Sequence, residues 1–253
     1  MVLAIVQARM SASRMPGMVM APVLGEPMIW RQLERVRRAR TLDKVVVATS
    51  SAASDDALVA FLLGRGVSVY RGAHFDALEC FAACTAAWSP SHAVRLTADC
   101  PLADPQAIDA AVRLAQSSGA AYTSNCERPS FPEGLEVEVM TTDAVIAAGQ
   151  EAHTSADHDQ VTAFIRRESG RFSQAHLTRD PDLSHLRWSV ERPEDFAFVR
   201  AVFQKLHPTD PGFGIEEVLE LLETRPDLAA MGSRTRTAPE PATASVIRTA
   251  AAA

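Results

Sequence analysis

The chain has 253 residues, with 25 Lys and Arg against 31 Asp and Glu, and so a net charge of −6. Charged residues are 22% and the hydrophobic class 47%, the proportions of a water-soluble globular protein long enough to bury most of its unfolded surface without disulfide or metal staples. The acidic balance excludes a protein that coats nucleic acid, because no basic excess drives counterion release. No run of about 18 apolar residues is present, which excludes an ordinary helical membrane span.

The opening MVLAIVQARM has no basic region ahead of its short apolar run, and reads as a first strand rather than a signal peptide. Cys80, Cys84, Cys100 and Cys126 include no CxxC pair and read as reduced residues of a cytoplasmic enzyme.

In chain order, Val2 to Gln7 is a strand and Pro27 to Arg40 a helix. Lys44 to Thr49 is a second strand, and Ser54-Asp55-Asp56 reads as an N-cap for a helix to Gly64. Val67 to Tyr70, a helix from Phe75 to Trp88, and a strand from Ala93 to Thr97 follow. Asp104-Pro105 opens the next helix. Short apolar strands alternating with helices predict parallel βαβ units and a doubly wound α/β sheet. From Ala121 the pattern changes. Ala121 to Ser124, Leu135 to Met140, Phe172 to Leu177 and Leu186 to Val190 read as strands. Thr141 to Glu151, Asp157 to Glu168, Pro193 to Leu206 and Ile215 to Glu223 read as helices. Residues 1–230 form one domain in this reading. Residues 231–253 are small, polar and proline-bearing, and read as a disordered tail.

In an open parallel sheet, ligands sit beyond the C-terminal strand ends. The first strand runs into Gln7-Ala8-Arg9-Met10-Ser11-Ala12-Ser13-Arg14-Met15-Pro16-Gly17. Small residues there let backbone N–H groups approach a ligand, and Arg binds phosphate bidentately. A solvated loop carrying two arginines fits the same spacing. The fourth strand ends in Arg95-Leu96-Thr97-Ala98-Asp99-Cys100-Pro101, where Asp99 either holds a hard cation or caps the next helix. The third strand end is Trp188-Ser189-Val190-Glu191-Arg192-Pro193-Glu194-Asp195. Glu191 is its functional candidate, while Glu194 and Asp195 suit a helix N-terminus. His153 and His158, near Asp157 and Asp159, suit a substrate-side contact or a solvated helix better than a metal cluster. Cys100 and Trp188 read as packing residues, and Arg35, Arg37, Arg38 and Arg40 as a solvated helix face.

Taken together, QARMSASRMPG, VVVATS, VYRG, VRLTADCPLADP, the Ser124-Asn125 strand end, PEGLEVEV and HLRWSVERPEDF resemble the cytidylyltransferase family of CMP-sugar-acid synthetases. The likeness is greatest to its spore-coat polysaccharide branch. The resemblance covers about Val2 to Leu228. It implies a Rossmann-like nucleotidyltransferase fold, mostly parallel, with a smaller antiparallel insertion. It also implies CTP and Mg²⁺, and transfer of CMP to an anionic small molecule (a sugar acid, sugar phosphate or phosphonate) with release of pyrophosphate. By position, Ala8, Arg9, Ser13, Arg14, Arg71 and Thr97 bind nucleotide. Arg14 and Asp99 are catalytic, Asp99 and Glu191 hold the metal, and Asn125, Glu136, Glu138 and His158 face the acceptor. The resemblance points to a homodimer built through about Leu135 to Leu177. The chain departs from the family pattern at several places. Met18 stands where a Lys usually follows Pro-Gly, Cys80 replaces an Arg, and Glu191 and Glu136 each replace an Asp. His158-Asp159-Gln160 replaces Arg-Glu-His. Two readings stand at this point: an active nucleotidyltransferase, or a relative that kept the fold as a nucleotide- or partner-binding protein.

Overall fold

The computed structural model describes residues 1–11, 15–72 and 76–233. Its strands are β1 (Val2–Gln7), β2 (Pro22–Val23), β3 (Glu26–Pro27), β4 (Lys44–Ser50), β5 (Ser68–Gly72), β6 (His92–Thr97), β7 (Tyr122–Ser124), β8 (Glu138–Thr141) and β9 (Gln174–His176). Its helices are α1 (Met28–Val36), α2 (Asp56–Gly64), α3 (Ala77–Trp88), α4 (Pro105–Ser118), α5 (Thr142–Glu151), α6 (Ser155–Asp159), α7 (Ala163–Arg167), α8 (Pro193–Leu206), α9 (Ile215–Thr224) and α10 (Pro226–Gly232).

Seven strands form one sheet in the order β5-β4-β1-β6-β8-β7-β9, and β2 and β3 form a separate antiparallel hairpin. β8 alone runs against its sheet neighbours, so the sheet is mostly parallel as expected. From β1 the chain first steps outward through β4 to β5, then returns to place β6 on the other side of β1. That reversal makes a topological switch point between the C-terminal ends of β1 and β6.

β1 is buried on both faces, which explains its unbroken apolar run. Val2, Ala4 and Val6 join Ile29, Leu33 and Val36 of α1, Leu58 and Leu62 of α2, and Ile108 and Val112 of α4. Leu3 and Ile5 join Phe81 and Cys84 of α3 and Val145 of α5. Ile29, Leu33 and Val36 recur at helical spacing, the stripe that seats α1 on the sheet. A third cluster sets α8, α9 and α10 around Trp188 and against Met18 and Val23. Among the described residues no helix is long and apolar enough to cross a membrane.

Four local expectations need correction. Leu186 to Val190 is not a strand. Its alternating Leu186, Trp188 and Val190 are buried, but the N–H groups go to carbonyls outside any strand: Arg187 to Gly232 at the end of α10, Trp188 to Glu133 and Val190 to Asp99. Asp157 to Glu168 is not one helix, since the chain breaks between α6 and α7 at Val161, whose φ is +23°. Asp55 does not cap α2 with its side chain. It instead accepts the Met10 N–H at 2.8 Å, the Thr49 hydroxyl at 3.0 Å and the Ser50 hydroxyl, fastening the loop after β1 to the end of β4. Arg35 is not solvated. It is buried, stacks on Phe213 at 4.2 Å and donates to the Ala103 carbonyl at 3.0 Å. By contrast Asp104 caps α4 as its Asp-Pro pair predicts, accepting the N–H groups of Gln106 and Ala107. The 231–253 tail lies outside the described residues from 234 onward.

Gly134 adopts φ +103°, and a Cβ there would lie 2.4 Å from the Ser189 nitrogen and 2.6 Å from the Trp188 carbonyl carbon. Gly134→Ala is expected to push the Trp188 segment off the β8 approach and to cost roughly 2–4 kcal/mol. A denaturant titration checks this, and an unchanged midpoint would show that the segment yields freely.

Candidate active site

The C-terminal ends of β1, β4 and β6 open onto two adjoining cavities. The first, about 230 Å³, is lined by Gln7 at the end of β1, Ala8, Arg9 and Met18 after it, Thr49 and Ser50 of β4, Asp76 before α3 and Cys80 within it, and Arg95, Thr97 and Asp99. The second, about 340 Å³, lies on the β8 side and takes Glu133, Glu136, Glu138, Thr162, Arg166 and Glu191. Arg95, Thr97, Asp99 and Asp159 line both. The two cavities therefore meet at the end of β6, at the switch point.

Asp99 follows β6 in a turn, with the Cys100 thiol 3.4 Å from its Oδ1. Burial, with Asp99 and Glu136 close by, pushes that thiol well above its ordinary value, so Cys100 is a neutral packing group. The Asp99 carbonyl accepts the Val190 N–H at 2.8 Å, which sets Glu191 on the same cavity wall. Glu191 also accepts from Arg187 at 2.7 Å. The donor set of Asp99 and Glu191 fits Mg²⁺, which takes one or two carboxylates and completes its shell with phosphate oxygens and water. Among the described residues no group of three or more His, Cys, Asp or Glu side chains forms a metal cage. A cation here would therefore depend on substrate oxygens.

Glu138 is 5% exposed and accepts from the Tyr122 hydroxyl at 2.7 Å, the Thr162 hydroxyl at 2.7 Å and Arg95 Nη1 at 2.5 Å. Burial works to raise its carboxyl, but the Arg95 guanidinium and the two hydroxyls outweigh it and hold it below the ordinary value. So Glu138 lines the second cavity while its own acceptor capacity is committed inside the protein. Glu136 is different. Burial, reinforced by Asp99 and Glu133 and opposed by the N–H donors of Glu136 and Gly134, pushes its carboxyl up to about 7.

The sign follows from linkage. A carboxyl raised from 4.5 to about 7 contributes stability that is full below pH 4.5 and lost as pH rises through 7. Relative to the native chain, Glu136→Gln is expected to gain melting temperature steadily between pH 4.5 and 8 without divalent cations. Parallel curves for the two proteins would remove the assignment.

Other expected positions are placed as follows. Ala8, Arg9 and Thr97 line the first cavity. Asn125 lies behind a smaller neighbouring cavity, donating to the Leu135 carbonyl at 2.8 Å and accepting the Val137 N–H at 2.8 Å. Neither Arg71 nor His158 is among the lining residues of the two main cavities. The Arg71 guanidinium is taken by the carbonyls of Ser50 and Ala52 and by Asp56 at 2.8 Å. His158 holds Asp76 at 2.5 Å and the Ala152 carbonyl at 3.1 Å; the Asp76 bond, more than the Ala152 bond, raises its pKa against burial. Ser13 and Arg14 lie outside the described residues.

Sequence reasoning missed Arg95, Gln7, Asp159 and Arg166. Arg95 left a usable signal, a charged residue inside an apolar strand two residues from its end, between Val94 and Leu96.

A doubly wound sheet with a split cavity at its switch point, rimmed by arginine and carboxylate, defines a nucleotide-handling enzyme of the nucleotidyltransferase fold. The chain belongs to the cytidylyltransferase family, whose sequence profile matches residues 3–231. It is 28% identical to the spore coat polysaccharide biosynthesis protein SpsF of Bacillus subtilis, over 90% of this chain and 96% of that one. It is 30% identical to a 3-deoxy-manno-octulosonate cytidylyltransferase of Anaeromyxobacter sp., over 86% and 82%. Among solved structures, a cytidylyltransferase from Leptospira borgpetersenii superposes with a TM-score of 0.86 at 22% identity, over 94% of this chain and 99% of that one. A CMP:2-keto-3-deoxy-manno-octonic acid synthetase complexed with CTP gives 0.59 at 16% identity, over 81% and 99%.

Proposed function

We propose that the protein transfers CMP from CTP to an acidic sugar-type acceptor and releases pyrophosphate. The observation that carries this is the meeting of two cavities at Asp99 and Arg95, in a chain whose family is the cytidylyltransferases. The first cavity, walled by the loop after β1 and the end of β4, takes the nucleotide. The second, toward β8, takes the acceptor, where Arg166 offers a guanidinium group to an anion. An acceptor oxygen attacks the α-phosphorus at the junction. The new O–P bond forms as the bond to the bridging oxygen breaks, and pyrophosphate leaves with that electron pair. The acceptor's proton passes to solvent. Asp99 and Glu191 would hold Mg²⁺, which when bound supplies neutralisation of phosphate charge. Ala8, Arg9 and Thr97 bind nucleotide, with Ser13 and Arg14 adding phosphate contacts. Glu136 faces the acceptor, and Asn125 and Glu138 support that wall. A cytoplasmic homodimer joined through about 135–177 completes the reading.

Calorimetric titration with CTP, ATP, GTP and UTP, with and without Mg²⁺, tests it. Selective, Mg²⁺-dependent CTP binding is the expected result, and binding of none of the four would sink it. Met18 favours a second reading, a nucleotide binder with little turnover, because an uncharged thioether lines the cavity where the family pattern has Lys. Pyrophosphate release from CTP with 3-deoxy-manno-octulosonate, for the native chain and Met18→Lys, separates the two. Release only from the substituted chain favours the second.

A further inference from the structure

Among the described residues, Arg95 is the one cation that lines both cavities; Arg9 lines the first alone and Arg166 the second alone. The other shared residues, Thr97, Asp99 and Asp159, are neutral or acidic. The Arg95 guanidinium is held through two of its three nitrogens. Its Nε donates to Gln7 Oε1 at 2.8 Å and its Nη1 to Glu138 at 2.5 Å. Gln7 is itself fixed by donating to the Ala77 carbonyl at 3.2 Å, and Glu138 by the Tyr122 and Thr162 hydroxyls. Five elements (β1, α3, β7, β8 and the turn before α7) therefore converge to fix one side chain. Nη2 donates to no described residue, so a pair of N–H groups on a rigid plane is left for a ligand.

A group that lines both cavities sits where the two substrates meet, and in CMP transfer they meet at the α-phosphorus of CTP, which the acceptor oxygen attacks. We propose that Arg95 binds the α-phosphate of CTP through Nη2, supplying at the reacting centre a cation that Met18 cannot, and that Gln7 and Glu138 are the positioning residues that aim it. This rests on the cytidylyl-transfer reading. It accounts for a buried carboxylate in the acceptor wall whose oxygens are already taken up by Arg95, Tyr122 and Thr162. Charge-assisted N–H bonds to phosphate oxygens are short and strong, and a pre-fixed guanidinium loses little freedom in making them.

The test uses cytidine, CMP and CTP as probes, titrated both with Mg²⁺ and without it and followed by NMR line shifts. Arg95→Met alone would strand the Glu138 charge, so the informative variant is the pair Arg95→Met with Glu138→Gln, which removes both charges together. Expected is a fall of about 10- to 100-fold in affinity for both CMP and CTP, with cytidine within twofold of the native chain. Arg95→Lys keeps a charge but loses the fork, and is expected to fall in between. It also serves if the double variant melts early. A loss confined to CTP would place Arg95 on the outer phosphates, an equal loss for cytidine would make it a support of the fold, and no loss would put it on the acceptor side alone. Each of these overturns the proposal. If the native chain binds none of the three probes, the nucleotide reading itself fails, and that is seen before any variant is made.

Discussion

Asp99→Asn is expected to lower CMP transfer by about a thousandfold or more while leaving the melting temperature within roughly 1 °C. The substitution is nearly isosteric. The fold uses the backbone of Asp99, whose carbonyl anchors Val190, rather than its carboxylate. Asp99 lines the junction of the two cavities, and the Cys100 thiol lies 3.4 Å from its Oδ1. Loss of one of the two carboxylates proposed to hold the metal would remove several kcal/mol of charge stabilisation, and about 4 kcal/mol corresponds to a thousandfold in rate. Glu191→Gln is expected to cost less, because Glu191 already shares its charge with Arg187 at 2.7 Å. Initial rates of pyrophosphate release at saturating Mg²⁺, beside melting curves, measure both. A full rate for Asp99→Asn would remove the metal assignment, and a rate loss matched by early melting would make Asp99 a structural residue.

The parallel half of the sheet was legible because its chemistry is local. β1, β4 and β6 are aliphatic runs buried on both faces, and Asp104-Pro105 caps α4 with bonds the sequence itself specifies. The place of Asp99 beside the cavities was legible because it follows a strand end, where an open parallel sheet binds its ligands. Failures came where tertiary partners outrank local pattern. Leu186, Trp188 and Val190 alternate as a strand would, yet no named strand of the described residues pairs with them, and carbonyls of Glu133, Asp99 and the end of α10 take the N–H groups. The helix expected through Gln160 breaks where the Thr162 hydroxyl reaches Glu138. Arg71 carries the right charge for a phosphate but is spent on the carbonyls of Ser50 and Ala52. Whether a charged side chain faces a cavity or a carbonyl depends on what the rest of the chain brings beside it. Period and composition do not encode that.

Glu138→Ala is expected to be the most destabilising single change in the acceptor wall. It would strand a guanidinium and two hydroxyls that now converge on one carboxylate. Breaking one member of a buried, hydrogen-bonded ion pair costs about 3–5 kcal/mol, a large part of a stability of roughly 5–15 kcal/mol. For a chain of this size that is about 6–20 °C in melting temperature. Tyr122→Phe, which removes only one neutral donor, is expected to cost about 1 kcal/mol. The pH dependence separates a charge effect from simple loss of packing. The Glu138 carboxyl is held below its ordinary value of 4.5, so its contribution is present above that pH and lost as pH falls through its depressed folded value. The stability gap between the native chain and Glu138→Gln should therefore be widest near neutrality and should close in acid. A gap that stayed constant from pH 7 to pH 3 would mean that Glu138 contributes shape rather than charge, and Arg95 would then need another explanation for its fixed orientation.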